Sequence, residues 1–281
     1  MPHTSSARLT ALDAAPSRYD TAKRVIDVVL AAMLLVVSFP LGLVIAAVIK
    51  ATSPGPVIYR GVRVGRHGRP FRQWKFRTMV VDAERLGGAK TSAQDERITG
   101  VGRKLRATKL DELPQLFNVL CGEMSLVGPR PMVPEEVERY TPFERAALTV
   151  RPGVTDWASI WFHNEERELA AAANLHDYYE TDIRPEKARL RAAYVHSRSL
   201  RVDLSIVAQT AVVLVRTRLD SKGLLHSDRP LRLWGHRPTR AAIAVGSGDP
   251  TRFFALSGYG SVEAISSGSG ELAERMAMRG S

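Results

Sequence analysis

Residues 25–49 read "VIDVVLAAMLLVVSFPLGLVIAAVI". An almost wholly apolar run of that length is read first as a membrane helix. It is not a cleavable signal, because no A-x-A-like site follows and "KATSPGPV" comes next. Ser38 and Pro40 sit near its middle, where proline interrupts the hydrogen-bond ladder. Each limb is then roughly 10–13 residues, or about 15–20 Å. That is too short to cross a hydrocarbon core of about 30 Å alone. Lys23 and Arg24 precede the run, and Lys50, Arg60, Arg63 and Arg66 follow it. Positive residues mark the cytoplasmic side, and both flanks are positive. The expectation is a re-entrant helix–break–helix that enters and leaves by the cytoplasmic face; the competing reading is a Pro-kinked spanning helix, which membranes tolerate.

The chain of 281 residues carries 40 Lys+Arg against 29 Asp+Glu, a formal charge of +11. Such an excess suits anionic partners: nucleic acid, phosphorylated substrates or an acidic membrane surface. The single cysteine, Cys121, excludes an internal disulfide and a cysteine-rich metal site. It is expected as a small buried or neutral residue. The sequence has no H-E-x-x-H, Walker loop, G-x-S-x-G or internal repeat.

Composition divides the chain into a flexible stretch 1–20, a membrane anchor 21–52, a domain 53–220 and a Gly/Ser-rich, mostly disordered tail 221–281. "SPGP" at 53–56 is a turn. Extended pieces are expected at 57–64 and 70–79, joined by the turn Gly65–Gly68. Lys75 and Arg77 alternate on the second. "NEERELAAAANLHDYYE", "RPEKARLRAAYVHSR" and "RVDLSIVAQTAVVLVRTR" read as helices. The last suits a membrane interface or an ordinary core equally. The fold class is therefore α+β and mostly helical: a re-entrant anchor, then a small domain with a short β-hairpin and interfacial amphipathic helices.

Within "RATKLDELPQLFNVL", residues 106–120, Leu113, Leu116, Phe117 and Leu120 recur at i, i+3, i+4 and i+7, one helical face. Pro114 belongs in the first turn, Asp111 reads as the N-cap and Gly122 as the stop. Capping alone would explain the adjacent acids Asp111 and Glu112. Their company points further: Arg106 before them, Arg130 after, and Lys75 and Arg77 in "KFRTM". A helix start with nearby arginines suits phosphate. Carboxylates there make sense if one attacks phosphorus and the other holds Mg²⁺ against substrate phosphates.

"KRVIDVVL", "SPGPVIYRGVRVGRHGRPFRQWKFRTM", "DERITGVGRKLRATKLDELPQLFNVLCGEMSLVGPRP", "RPGVT" and "YYETDIRPEKARLRAAYVHSRSLRVDLSIVAQT" together resemble the bacterial sugar transferases, monotopic polyprenyl-phosphate phosphoglycosyl transferases. The resemblance spans roughly residues 21–218. It implies transfer of a sugar phosphate from a nucleotide diphosphate sugar, usually a UDP-sugar, to a polyprenyl phosphate (undecaprenyl or decaprenyl), with release of UMP. It also implies Mg²⁺, a bilayer-embedded anchor and a catalytic domain on the cytosolic face of the bacterial membrane, at the start of exopolysaccharide or glycoconjugate assembly. By motif match Asp111 takes the nucleophile role and Glu112 the metal-linked role. Arg106 and Arg130 match phosphate- or nucleotide-binding positions. Lys23, Arg24 and Asp27 match the start of the anchor, and Ser38 and Pro40 its break. The match is to the short form, without additional N-terminal spanning helices. Lys109 stands where serine is common, and "TDWASIWFHNEE" replaces a "TGLAQVNGRN"-like stretch. The rival class, a membrane-anchored basic nucleic-acid binder, calls for a helix-turn-helix, zinc or aromatic RNA-binding pattern, and the sequence has none.

Overall fold

A computed structural model describes residues 17–86, 95–163, 165 and 178–220. The tail 221–281, nearly all of the stretch 1–20 and most of the helix expected in "NEERELAAAANLHDYYE" lie outside the described residues.

Ser17 starts the longest helix with a capping box. Its Oγ accepts from the Asp20 N–H, and the Asp20 carboxylate accepts from the Ser17 N–H. Helix α1 then runs Arg18–Thr52, 35 residues, or about 52 Å at 1.5 Å per residue. The expected interruption at Ser38/Pro40 is corrected here: Pro40 lies inside one continuous helix. A proline deletes one i→i−4 bond, and the flanking turns keep theirs. The Ser38 hydroxyl donates to the Leu35 carbonyl at 3.5 Å.

The hairpin forms where alternation placed it. Strands β1 (Ile58–Val64) and β2 (Pro70–Phe76) pair antiparallel, Ile58 opposite Phe76 and Val64 opposite Pro70. The connecting turn has His67 and Gly68 at positive φ. Helices α2 (Ala83–Leu86), α3 (Gly100–Ala107) and α4 (Gln115–Cys121) follow. Next come β3 (Ser125–Val127), α5 (Pro134–Glu138), β4 (Gly153–Thr155) and α6 (Trp157–Trp161), with β3 and β4 parallel. A π-helical turn, Tyr179–Ile183, leads into α7 (Arg184–Ser197), which has Pro185 in its first turn, and then α8 (Leu200–Asp220).

Both halves of α1 rest on this one domain. Ala31 joins Phe71, Leu116, Val119 and Met124; Ile45 and Ile49 join Phe76 and Leu105. The opposite face is bare: Val36, Val37 and Phe39 are 74%, 78% and 63% exposed. On α8, Ile206 and Val213 are buried while Leu204 and Val215 stand out.

Two expectations for α4 change. Phe117 is exposed rather than part of the buried face; its ring lies 5.5 Å from that of Trp74. The buried face instead includes Gln115 and Asn118. Cys121 is exposed, not buried. Gly122 ends the helix at φ 82° as expected.

Candidate active site

The acidic pair sits on a tight reversal between α3 and α4. α3 packs so closely on the exit of β2 that a Cβ on Gly102 would fall 2.0 Å from the Thr78 carbonyl oxygen. Lys109 then turns the chain in the left-handed region, φ 56°, and residues 110–112 form one 3₁₀ turn. Asp111 is therefore not the N-cap of α4, correcting the capping expectation. Pro114 occupies that position, and no side chain caps either turn.

The two carboxylates face different surroundings. Glu112 Oε1 accepts from Lys75 Nζ at 3.0 Å and Arg130 Nη2 at 2.7 Å, and Oε2 accepts a longer bond of 3.4 Å from Arg130 Nη1. Asp111 is buried, and its Oδ1 has no hydrogen-bond partner. Burial pushes the Asp111 carboxyl up, with Lys75 opposing and Glu112 adding to the rise. Burial also acts against charged Glu112, but Arg130 and Lys75 together hold it well below the usual carboxylate range. Burial lowers Lys75 against the pull of Glu112; Arg130 is raised, chiefly by Glu112. Adjacent acids driven apart in this way can take different chemical roles.

Other residues fix these partners. Lys75 lies on β2, which Asn118 ties to α4: the Trp74 N–H donates to Asn118 Oδ1 at 3.0 Å, and Asn118 Nδ2 donates to the Arg72 carbonyl at 2.8 Å and to Glu123 at 2.7 Å. Arg130 follows β3. Its backbone N–H donates to Asp156 Oδ2 at 3.1 Å, while Asp156 Oδ1 caps α6 by accepting from the Ser159 N–H at 2.6 Å.

Not every expected residue joins the acids. Arg106 donates its Nε–H to Thr78 Oγ1 at 2.9 Å. Arg77 is buried, and its guanidinium donates to the Pro54 carbonyl and, at 2.9 Å each, to the Ser53 carbonyl and hydroxyl. Arg77 thus fastens the C-terminal end of α1, and no hydrogen bond among the described residues ties it to the acidic pair. The alternation of Lys75 and Arg77 put both on one face, and the second has a chain end to satisfy.

Lys23, Arg24 and Asp27 fasten the other end. Arg24 donates to the Val119 and Leu120 carbonyls at 2.6 and 3.0 Å, at the negative end of α4. Asp27 accepts from Ser125 Oγ at 2.7 Å and from the Leu126 N–H at 3.1 Å. Lys23 donates to Asp203 at 3.0 Å, and Asp203 also accepts from Tyr19 and Tyr194 at 2.9 and 2.8 Å. Asn118, Asp156 and Asp203 escaped the sequence reading. Asp203 alone left a trace, as an acid inside an otherwise apolar helical run.

Among the described residues no three His, Cys, Asp or Glu gather as a metal cage. Mg²⁺ needs only one or two carboxylates, with substrate oxygens and water completing its shell. The weakly engaged Glu112 Oε2 is a hard oxygen donor of the right kind, so the residues present fit that ion.

Residues 18–217 match the family model described as bacterial sugar transferase, and the chain belongs to that family. It is 40% identical over 202 residues to the UDP-glucose:undecaprenyl-phosphate glucose-1-phosphate transferase of Caulobacter vibrioides, covering 70% of this chain and 71% of that protein. The Klebsiella pneumoniae protein of the same name is 44% identical over 141 residues, 49% of this chain and 30% of that one. The undecaprenyl-phosphate galactose phosphotransferase of Salmonella typhimurium is 37% identical over 210 residues, 69% of this chain and 40% of that one. The chain thus spans about a third of the length of the Klebsiella relative, and these relatives are named for different sugars.

Proposed function

We propose that this protein transfers a sugar phosphate from a UDP-sugar to a polyprenyl phosphate, undecaprenyl or decaprenyl, at the cytosolic face of the bacterial membrane. The observation that carries the reading is the split acidic pair: Asp111 buried with an unpartnered oxygen, Glu112 held ionised by Lys75 and Arg130. Asp111 Oδ1 attacks the β-phosphorus of the donor. A P–O bond to the carboxylate forms, the pyrophosphate P–O bond breaks, and UMP leaves. A polyprenyl phosphate oxygen then attacks the same phosphorus and releases the carboxylate. Lys75 and Arg130 lower the local anionic repulsion that keeps a carboxylate from a diphosphate. Bound Mg²⁺, held by Glu112 with donor phosphate oxygens, would supply further charge neutralisation.

The membrane reading is supported by the seating of α1. Asp27 and Ile49 both pack on the domain, and about 33 Å of helix axis separates them. A helix crossing the bilayer upright over that length would carry a highly charged domain through the hydrocarbon. An anchor lying along the domain, its bare apolar face in lipid, keeps both ends on one side.

The test is UDP-sugar alone with purified enzyme. UMP should appear up to one equivalent, and the phosphosugar should sit on the peptide containing "LDELPQL" by mass spectrometry of acid-quenched protein. Strict dependence of UMP release on added polyprenyl phosphate, with no labelled peptide, would reject the covalent step.

A further inference from the structure

A second charged cleft lies where α1 meets the domain. It is lined by Lys23, Arg66, Arg151 and Arg198 with Asp20 and Asp27. Neither acid of the catalytic pair, nor Lys75 or Arg130, lines it.

The cleft's cations outnumber its available acids. Asp27 accepts from Ser125 Oγ and the Leu126 N–H and lies 3.8 Å from Lys23 Nζ, which also pairs with Asp203. Asp20 is shared between the Ser17 cap and Arg198, 3.2 Å away. Arg66 uses only its Nε–H, on the Thr149 carbonyl, and Arg151 only its Nε–H, on the Gly122 carbonyl. Among the described residues the terminal nitrogens of both guanidiniums have no hydrogen-bond partner. Arg66 is lowered by burial and by the like charges of Arg151 and Arg198, against Asp20. A group of arginines that repel one another beside spent carboxylates is relieved by an anion with several acceptor oxygens.

The surroundings identify the source of that anion. Asp20, Lys23 and Asp27 bring the first turns of α1 to the cleft, and the exposed apolar side chains Val29, Leu30 and Met33 follow on the same helix. A phosphate carried on acyl chains satisfies the guanidiniums while its chains lie beside the exposed apolar run of α1. A free phosphate satisfies only the guanidiniums.

We propose that the Arg66–Arg151–Arg198 cleft binds the headgroup phosphate of an anionic membrane phospholipid, one per chain, and so seats the start of α1 at the membrane surface. The inference rests on α1 lying in lipid, not on the transfer chemistry. It is tested without substrate, so failure of the transfer reading leaves it standing.

The full chain in uncharged detergent is titrated, under native mass spectrometry, with dihexanoyl phosphatidylglycerol, dihexanoyl phosphatidylcholine and inorganic phosphate. One phosphatidylglycerol per chain should bind in preference to the other two. Arg66→Glu should weaken it by roughly fivefold or more, the scale of one or two basic contacts near a lipid surface. Arg18→Glu makes the same charge change at the same helix end, outside the cleft, and should keep wild-type binding. Circular dichroism confirms that both variants fold. Equal loss in Arg18→Glu, no saturable phosphatidylglycerol binding, or equal preference for phosphatidylcholine would overturn the cleft. Inorganic phosphate binding as tightly as phosphatidylglycerol would overturn the lipid assignment.

Discussion

Asp111 and Glu112 are consecutive on one 3₁₀ turn, yet Glu112 Oε1 accepts from two cations while Asp111 Oδ1 accepts from no donor. The chain has separated an ion-paired acid from one with a lone pair to spare. Asp111→Asn tests that separation. Asp111 caps no helix here, so the change should leave helical content and thermal midpoint nearly unaltered. Transfer, read as UMP release with polyprenyl phosphate present, should fall by orders of magnitude. Wild-type turnover would return the acid to a structural part.

Lys75→Met probes the other half of the pair. Glu112 would keep Arg130 but lose its nearer-buried partner. Removing one member of a buried pair costs about 3–5 kcal/mol when the other charge is left alone; with Arg130 remaining, about 2 kcal/mol is expected. The pH dependence has a definite sign. The folded Glu112 carboxyl is depressed, so its contribution is complete above the ordinary carboxylate range and lost as pH falls through the folded value. Weakening the cluster raises that folded value. Acid unfolding of Lys75→Met should begin at higher pH than wild type in a fluorescence-monitored titration; an unmoved acid limb would refute the coupling.

What the sequence disclosed and what it hid follow from range. The hairpin, the Gly122 stop and α7 depend on alternation, proline and glycine within a few residues, and all form where local pattern put them. The acidic pair was legible because motif and basic neighbours coincide. Asn118 carried no local signal, since its task is to hold two strand groups 44 and 46 positions away. Asp203 meets Lys23 across 180 positions, and periodicity carries no information at that range. For Arg77, alternation specifies a face but not the carbonyls that its guanidinium meets there.

Asn118→Leu should show that this hidden amide positions Lys75. The shape is nearly kept, but the Trp74 N–H and Arg72 carbonyl lose their partner. Each buried orphan costs about 1–3 kcal/mol, so a loss of about 2–4 kcal/mol is expected by urea unfolding. Turnover of the folded fraction should also fall, because β2 carries Lys75 to Glu112. Unchanged stability would remove Asn118 from the account.

Asp203→Ala should loosen the anchor. Asp203 gathers Tyr19, Lys23 and Tyr194 at one buried point, joining α8 to the start of α1. Its removal leaves the Lys23 ammonium without its shorter ion pair and takes the acceptor from the Tyr19 hydroxyl, while the Tyr194 hydroxyl keeps the Val127 carbonyl. A loss of about 3 kcal/mol follows from the buried-pair cost, with faster proteolysis at the start of α1. Tyr194→Phe keeps the ion pair and should cost only about 1 kcal/mol. Equal losses from both substitutions would mean that the carboxylate matters only as a hydrogen-bond acceptor.

The last prediction concerns the side on which α1 begins and ends. A spanning helix and an anchor lying along the domain differ in one observable, the side reached by Ser17 and Ser53. These residues cap the two ends of the helix, and both lie outside the apolar run. Cys121 is exposed and would react with any thiol reagent, so Cys121→Ser must be the background. In that background, Ser17→Cys and Ser53→Cys, introduced singly, should label from the same face of sealed vesicles with a membrane-impermeant maleimide. Ser53 accepts from Arg77, so its labelling is compared with a detergent-opened control to separate occlusion from topology. Ser17→Cys needs the same control, because Ser17 belongs to the capping box. Labelling from opposite faces would require the domain contacts at Ala31 and at Ile45–Ile49 to exist on two sides of a bilayer. One domain of this charge cannot meet that condition, so the packing of α1 would itself have to be wrong.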